Sequence, residues 1–229
     1  MREARALEVE RAAAAPGSAA WEAAYLRFET SEEEIRKFTA RLEALGQASW
    51  PRSAELVELF CGRGGGLVAL ERLGFTELEG VDLSPTLLAR YSGPARCHLA
   101  DCRALPFADA SKDVLLAQGG LHHLALLPDD LELTLAEASR VLRPGGRFVA
   151  VEPWRTPFLA LVHAASRVPF ARALSSKLDA FAVMVEHERE TYERWLAAPG
   201  EILARLERHF APERRATRWG KLAFVGRKR

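Results

Sequence analysis

The chain is poor in cysteine. Its three cysteines, Cys61, Cys97 and Cys102, are an odd set among 229 residues, which suits no complete disulfide framework. The offset between Cys97 and Cys102 matches no zinc-knuckle spacing, so the three are read as small core residues and no metal site is expected. Excess charge is also missing. Lys and Arg (32) balance Asp and Glu (31) to a formal +1, which argues against a nucleic-acid binder working through a broad basic field. No apolar run approaches the ~20 residues that cross a bilayer, and Ala12–Ala15 is short for a signal segment. A soluble, cytoplasmic protein with neither membrane nor nucleic acid as partner is expected. Internal repeats and long low-complexity stretches are absent as well. What is present is ordinary globular material, 48% hydrophobic and 28% charged. At about 100–200 residues per domain, that makes one large domain with room for an appendage.

Residues 1–50 read as a helical N-terminal extension, broken at Pro16-Gly17-Ser18. Ser31-Glu32-Glu33-Glu34 reads as a capping box with Ser31 as N-cap, ahead of the stripe Ile35, Phe38, Leu42 and Leu45. Between Ala54 and Pro153 short apolar runs alternate with helical segments. Strands are expected at Glu55–Cys61, Leu78–Val81, Arg96–Leu99, Val114–Ala117 and Arg147–Val151, with helices at Gly66–Leu73, Pro85–Tyr91 and Asp130–Leu142. That alternation predicts an α/β fold, a parallel sheet with helices on both faces. Arg143-Pro144-Gly145-Gly146 reads as a breaking turn before the fifth strand. Beyond Pro153 come prolines and aromatics, helices at Ser175–Val185, Glu190–Ala197 and Glu201–Phe210, and a hairpin from Arg214–Trp219 to Lys221–Val225. Arg227-Lys228-Arg229 reads as a solvated tail.

The most informative stretch is Glu55-Leu-Val-Glu-Leu-Phe-Cys-Gly-Arg-Gly-Gly-Gly66, a buried strand running through glycines into a helix near Leu67. Glycines let a ligand approach the backbone, and a helix start offers unpaired N–H groups. Leu67 breaks the dinucleotide pattern, and no Lys-Ser or Lys-Thr completes a phosphate loop. Two further strands end in acids. Asp82 is suited to both hydroxyls of a ribose, and Asp101 to an exocyclic adenine amine. Glycines and two acids without a phosphate cradle describe an adenosine site whose far end is not a pyrophosphate.

Four segments, in order, carry a resemblance. They are Glu58-Leu-Phe-Cys-Gly-Arg-Gly64, Val81-Asp82-Leu83-Ser84, the run Asp101–Asp113 and Arg140-Val-Leu-Arg-Pro-Gly-Gly-Arg-Phe148. They resemble the motifs of class I S-adenosylmethionine-dependent methyltransferases, particularly the small-molecule group related to ubiquinone/menaquinone methyltransferases. The resemblance implies a Rossmann-like, seven-stranded, mostly parallel sheet with an antiparallel C-terminal hairpin. It also implies a domain over 51–229 with a helical acceptor lid inserted at about 153–200, and S-adenosyl-L-methionine as cofactor.

Carried over residue by residue, Glu58, Gly62, Gly64 and Gln118 address the methionine moiety, Asp82 the ribose, Leu83 an adenine face and Asp101 the adenine amine, with Cys102 beside it. Phe60 stands where the family has its first glycine, so a bulky ring must fit beneath the loop. His122 and His123 follow strand four and are candidate general bases. Glu152 closes strand five; with His163, His187 and Glu188 it forms the candidate acceptor-side set. The implied reaction is methyl transfer to O, N or C of a small-molecule acceptor. The alternatives are a non-catalytic protein that binds the cofactor or its demethylated product, and a nucleotide-dependent oxidoreductase.

Overall fold

The computed structural model describes residues 16–229; the helix expected before Pro16 lies outside the described residues. Pro16 opens helix α1 (Pro16–Phe28), as suits a residue with no amide to satisfy at a helix start. Helix α2 spans Ser31–Ala44, and its capping box sits one residue earlier than the sequence suggests. Thr30 is the N-cap and Glu33 its partner; the Glu33 amide donates to Thr30 Oγ1 at 3.2 Å. The shift has a physical cause. Glu34 is buried and is used elsewhere, as the partner of Arg63.

Seven strands form one sheet in the order β3-β2-β1-β4-β5-β7-β6. They are β1 (Leu56–Leu59), β2 (Leu78–Asp82), β3 (Arg96–Leu99), β4 (Lys112–Gln118), β5 (Leu142–Pro153), β6 (Phe210–Arg218) and β7 (Lys221–Lys228). The first five run parallel; β7 is antiparallel to both β5 and β6. Side chains alternate between two cores. Val57, Leu59, Leu115, Ala117, Phe148 and Ala150 face one. Leu56, Val114, Leu116, Val149 and Val151 face the other. A sheet covered on both faces needs apolar residues at consecutive positions, which is why these strands read as continuous runs.

Helix α3 (Gly65–Arg72) follows β1, the short α4 (Pro85–Leu88) follows β2, and α5 (Asp129–Val141) precedes β5. Helix α2 supplies Ile35, Phe38 and Leu42 to the second core, so much of the N-terminal extension packs on the sheet domain. The span of β5 includes Arg143–Gly146, but no residue of that segment has a ladder partner. Pairing with β4 passes from Leu142 to Arg147, so the expected break lies within the strand as an irregularity. Past β5 lie α6 (Pro157–Ser166), α7 (Pro169–Leu174), α8 (Ser176–His187), α9 (Arg189–Ala197) and α10 (Pro199–His209). The hairpin turn places Trp219 at φ 51° and Gly220 at φ 74°, as a two-residue turn with positive φ at both central positions requires. The basic end is no free tail: Arg227 pairs with Glu213, and Lys228 Nζ donates to the Leu142 carbonyl.

Phe148 is fully buried and stacks on Phe210, with ring centroids 4.9 Å apart. Phe148→Ala should therefore cost about 3–5 kcal/mol of stability. Urea denaturation checks this; a loss under ~1 kcal/mol would mean that β5 and β6 do not form one core.

Candidate functional site

The order of the sheet reverses between β1 and β4, and the crevice at their carboxyl ends is where an open α/β sheet takes a ligand. Glu58 lies on β1, Asp82 ends β2 and Gln118 ends β4. The glycine loop between β1 and α3 is shaped by positive φ at Phe60 (56°), Gly62 (53°) and Gly64 (81°), the last being the N-cap of α3. A Cβ on Gly64 would stand 2.2 Å from the Tyr91 ring, and one on Gly66 would stand 1.9 Å from Glu58 Oε1. Phe60 keeps the backbone conformation that a glycine adopts freely. Its ring is seated against Gly120, where a Cβ would come within 2.1 Å of it.

Glu58 is buried beneath this loop. Gln118 Nε2 donates to its Oε1 at 3.3 Å, while Glu58 Oε2 and Gln118 Oε1 are buried without a hydrogen-bond partner. Burial, reinforced by the nearby charge of Glu34, pushes the Glu58 carboxyl up to about 8. Asp82 accepts from the Gly62 amide at 2.7 Å and from the Ser84 amide at 2.8 Å. Burial raises its pKa, and these amides partly offset the rise. Leu83, next along, is partly exposed. Asp101 is gripped by Arg103, whose guanidinium donates to both carboxylate oxygens and also to Asp130. Cys102 points into the core, with Sγ 3.5 Å from Thr134 Oγ1, so its thiol is no part of the crevice.

The segment after β4 is held by Glu152. Glu152 Oε1 accepts from the amides of Gly120 and Leu121, both at 3.0 Å, and Oε2 lies 2.8 Å from His122 Nδ1. Glu152 thus points at the histidine loop and is fully buried there. His122 Nε2 lies 3.7 Å from Glu188 Oε1, and His123 Nδ1 lies 2.9 Å from Glu188 Oε2. Burial alone would lower the His122 pKa, but hydrogen bonds and charge from Glu152 and Glu188 outweigh it and raise it to about 9. Burial acts to raise the Glu188 pKa, yet the two histidines hold it far below the usual carboxylate range. His122, His123 and Glu188 offer three ligand atoms within 4.8 Å of one another. Those atoms already meet one another, and His122 Nδ1 is also engaged by Glu152. His163 does not touch this cluster directly; it lies 3.1 Å from Tyr192 Oη and against Phe181, and the Tyr192 ring meets His122 edge-on at 5.7 Å. His187 is exposed at the end of α8.

The N-terminal helices supply a cover that the motifs do not announce. Trp21 Nε1 donates to Glu188 Oε2 at 2.9 Å, and the Trp21 ring meets His123 edge-on at 5.3 Å. Tyr25 stacks on Trp21, hydrogen-bonds Glu34 and puts its hydroxyl 3.5 Å from where a Gly62 Cβ would be. Arg63, on the loop itself, donates to Glu34 Oε2 at 2.8 Å in a buried ion pair, and Ser84 bonds Glu22. The one hint in the sequence is the i,i+4 pair Trp21 and Tyr25 on a helix otherwise rich in alanine.

Residues 57–150 match a family model described as a methyltransferase domain. The ubiquinone/menaquinone biosynthesis C-methyltransferase of Dinoroseobacter shibae is 35% identical over 97 residues, covering 40% of this chain and 37% of that protein. The 27-O-demethylrifamycin SV methyltransferase of Amycolatopsis mediterranei is 31% identical over 127 residues, covering 52% and 44%. The chain thus spans less than half the length of these curated relatives. A crystal structure of a Pyrococcus horikoshii protein superposes with a TM-score of 0.66 at 18% identity, over 90% of this chain and 98% of that one, and shares the fold.

Glu58 gives the site a pH signature. An unfolded glutamate ionises near ~4.3, whereas folded Glu58 keeps its proton up to about 8. Between those values the folded state binds more protons, so this group's contribution to stability falls as pH rises. Glu58→Gln should remove that fall. Urea midpoints at pH 5 and pH 8.5 that change equally in both proteins would show that Glu58 is not held neutral.

Proposed function

We propose that this chain, whose residues 57–150 match a methyltransferase-domain model, is a class I S-adenosylmethionine-dependent methyltransferase that transfers the cofactor's methyl group to an oxygen, nitrogen or carbon nucleophile of a small-molecule acceptor. The observation that carries this reading is the pair of orphaned acceptors, Glu58 Oε2 and Gln118 Oε1. Once Glu58 is ionised, both oxygens are buried acceptors without donors, and an ammonium group, which only donates, is the kind of partner they call for. The residues therefore fit the amino-acid end of S-adenosylmethionine. The relatives' names, which include a quinone C-methyltransferase and a rifamycin methyltransferase, support small molecules as the acceptor class.

In this reading Glu58 and Gln118 receive the ammonium, with Gly62 and Gly64 keeping the loop free of side chains that would block it. Asp82 accepts from the ribose hydroxyls, Asp101 from the adenine amine, and Leu83 covers an adenine face. When bound, the cofactor supplies an electrophilic methyl group on a sulfonium. The chain supplies alignment and water exclusion, and oriented approach alone is worth ~7–11 kcal/mol. The two histidines divide the work. A His122 held protonated between two carboxylates is a poor base and serves as a fixed positive strut. His123, with Nδ1 on Glu188, keeps the tautomer that leaves Nε2 basic, so it is the residue to take a proton from the acceptor. Glu152 and Glu188 are positioning residues, with Glu152 acting through His122 and Glu188 through both histidines. His163 and His187 have no part in this scheme.

Two outcomes test the scheme. Binding the ammonium requires Glu58 to lose its proton, so affinity for S-adenosylhomocysteine should rise roughly tenfold per pH unit up to about pH 8 and then level, with the slope absent in Glu58→Gln. Asp82→Ala should weaken the same ligand roughly 10- to 150-fold. Titration calorimetry reads both, and a flat pH dependence would remove Glu58 from the ammonium site.

For catalysis, His123→Ala should lower kcat ~10²- to 10⁴-fold with cofactor affinity nearly intact. Single-turnover assays with an acceptor library, following release of S-adenosylhomocysteine, are the measurement. Undiminished turnover in His123→Ala would leave alignment as the whole mechanism.

A further inference from the structure

Between Glu152 and Asp179 there is no acidic side chain; the charged residues there are Arg155, Arg167, Arg172 and Lys177, in a chain whose charges otherwise nearly cancel. This stretch folds into α6 and α7, and it turns large apolar side chains outward. Nine large hydrophobic side chains are exposed among the described residues, and six belong to one region: Phe158, Leu161, Val168, Phe170, Leu174 and Trp219, each 43% to 73% exposed.

They fall into two groups, around helices that touch each other. Phe158 meets Trp219 edge-on at 5.3 Å, Leu161 lies one turn along α6, and Phe170 and Leu174 sit one turn apart on α7. Leu159, on the other side of α6, is buried in the main core, so the helix is two-faced. Cations border the patch. Arg218 lies over the Trp219 ring at 5.7 Å. Arg167 and Arg172, with Arg27 from α1, line a cavity of about 510 Å³ whose one acid is Asp179. Arg155 and Arg167 pair with no acid among the described residues.

Soluble proteins seldom expose large contiguous apolar patches without a partner. Arg172 is matched by Asp179 and Glu186, and Lys177 by Glu33, which leaves Arg155 and Arg167 as the uncompensated cations beside the apolar side chains. Outward aromatic and leucine side chains bordered by such arginines are the composition of a helix that lies in a lipid headgroup layer. We infer that this outer face of the lid docks on an anionic lipid surface, with the apolar side chains entering the headgroup region and the arginines meeting lipid phosphates. Charge complementarity selects this occupant. A symmetric pair of copies would set Arg155 and Arg167 against their own counterparts, because Asp179, the acid of the bordering cavity, is already engaged by Arg27 and Arg172. No helix among the described residues is long and apolar enough to cross a membrane, and interfacial docking needs none. The inference departs from the sequence-based expectation of no membrane partner, and it stands independently of the methyl-transfer reading.

The test is co-sedimentation of the full chain with vesicles of phosphatidylcholine containing phosphatidylglycerol, against phosphatidylcholine alone. Binding should require the anionic lipid and weaken with salt. Arg155→Glu/Arg167→Glu should weaken it by more than about fivefold per site, and Phe170→Ser/Leu174→Ser should abolish it. Both variants change exposed side chains away from the crevice and should keep S-adenosylhomocysteine affinity, which confirms folding. The inference is overturned by failure to bind anionic vesicles, by equal binding to neutral ones, or by binding that both variants leave unchanged. A dimer in analytical ultracentrifugation that Phe170→Ser/Leu174→Ser dissolves would also overturn it, because a second copy would then cover the face.

Discussion

The arrangement at the crevice hangs on the carboxylate of Glu152. It sits at the end of β5 with no solvent exposure, accepts from the amides of Gly120 and Leu121, and holds His122. A bare carboxylate in that position would be untenable, so it demands a charged partner. The charged imidazole in turn favours a second carboxylate, Glu188, at the junction of α8 and α9. Glu188 also collects His123 and Trp21. Alternating charges from Glu152 through His122 to Glu188, with the Trp21 indole as a neutral last member, therefore fasten the sheet, the histidine loop, the α8–α9 junction and the N-terminal helix together. Neutralising one charged member of such a series leaves another charge buried alone, a defect usually worth about 3–5 kcal/mol.

A second buried pair works at the opposite side of the glycine loop. Arg63 on the loop and Glu34 on α2 are both nearly inaccessible, and Tyr25 completes the cluster. The loop is thus braced from above by side chains distant in sequence as well as from below by Glu58. The displaced capping box follows directly: Glu34 cannot serve a helix terminus and a buried guanidinium at once.

Much of the scaffold was legible because it obeys local rules. A sheet buried on both faces writes itself as apolar runs, glycines with positive φ mark Gly62 and Gly64, and a strand-end acid marks Asp82. The illegible parts depend on contacts between distant residues. Nothing local distinguishes His122 from His123; the difference arises because β5 brings Glu152 to one ring nitrogen and not to the other histidine. Trp21, Tyr25 and Arg63 gain their places only when α1 and α2 fold over the crevice. Cys102 looked like a site residue by adjacency to Asp101, yet the side chain turns inward to Thr134. Helices α6 and α7 were hidden by their prolines, which stand at helix starts, where no amide hydrogen bond is lost.

Phe60 holds a backbone conformation that costs an L-residue about 1–2 kcal/mol, and its ring takes the space that a side chain at position 120 would fill. The two positions form an epistatic pair. While Phe60 is present, position 120 accepts only glycine, because even one methyl group would overlap the ring. Once position 60 becomes glycine, the local strain disappears, but a ring-sized void opens between the glycine loop and the histidine loop. A gain at one position is therefore a loss at the other. A substitution path from this loop that places a side chain at position 120 must change position 60 first.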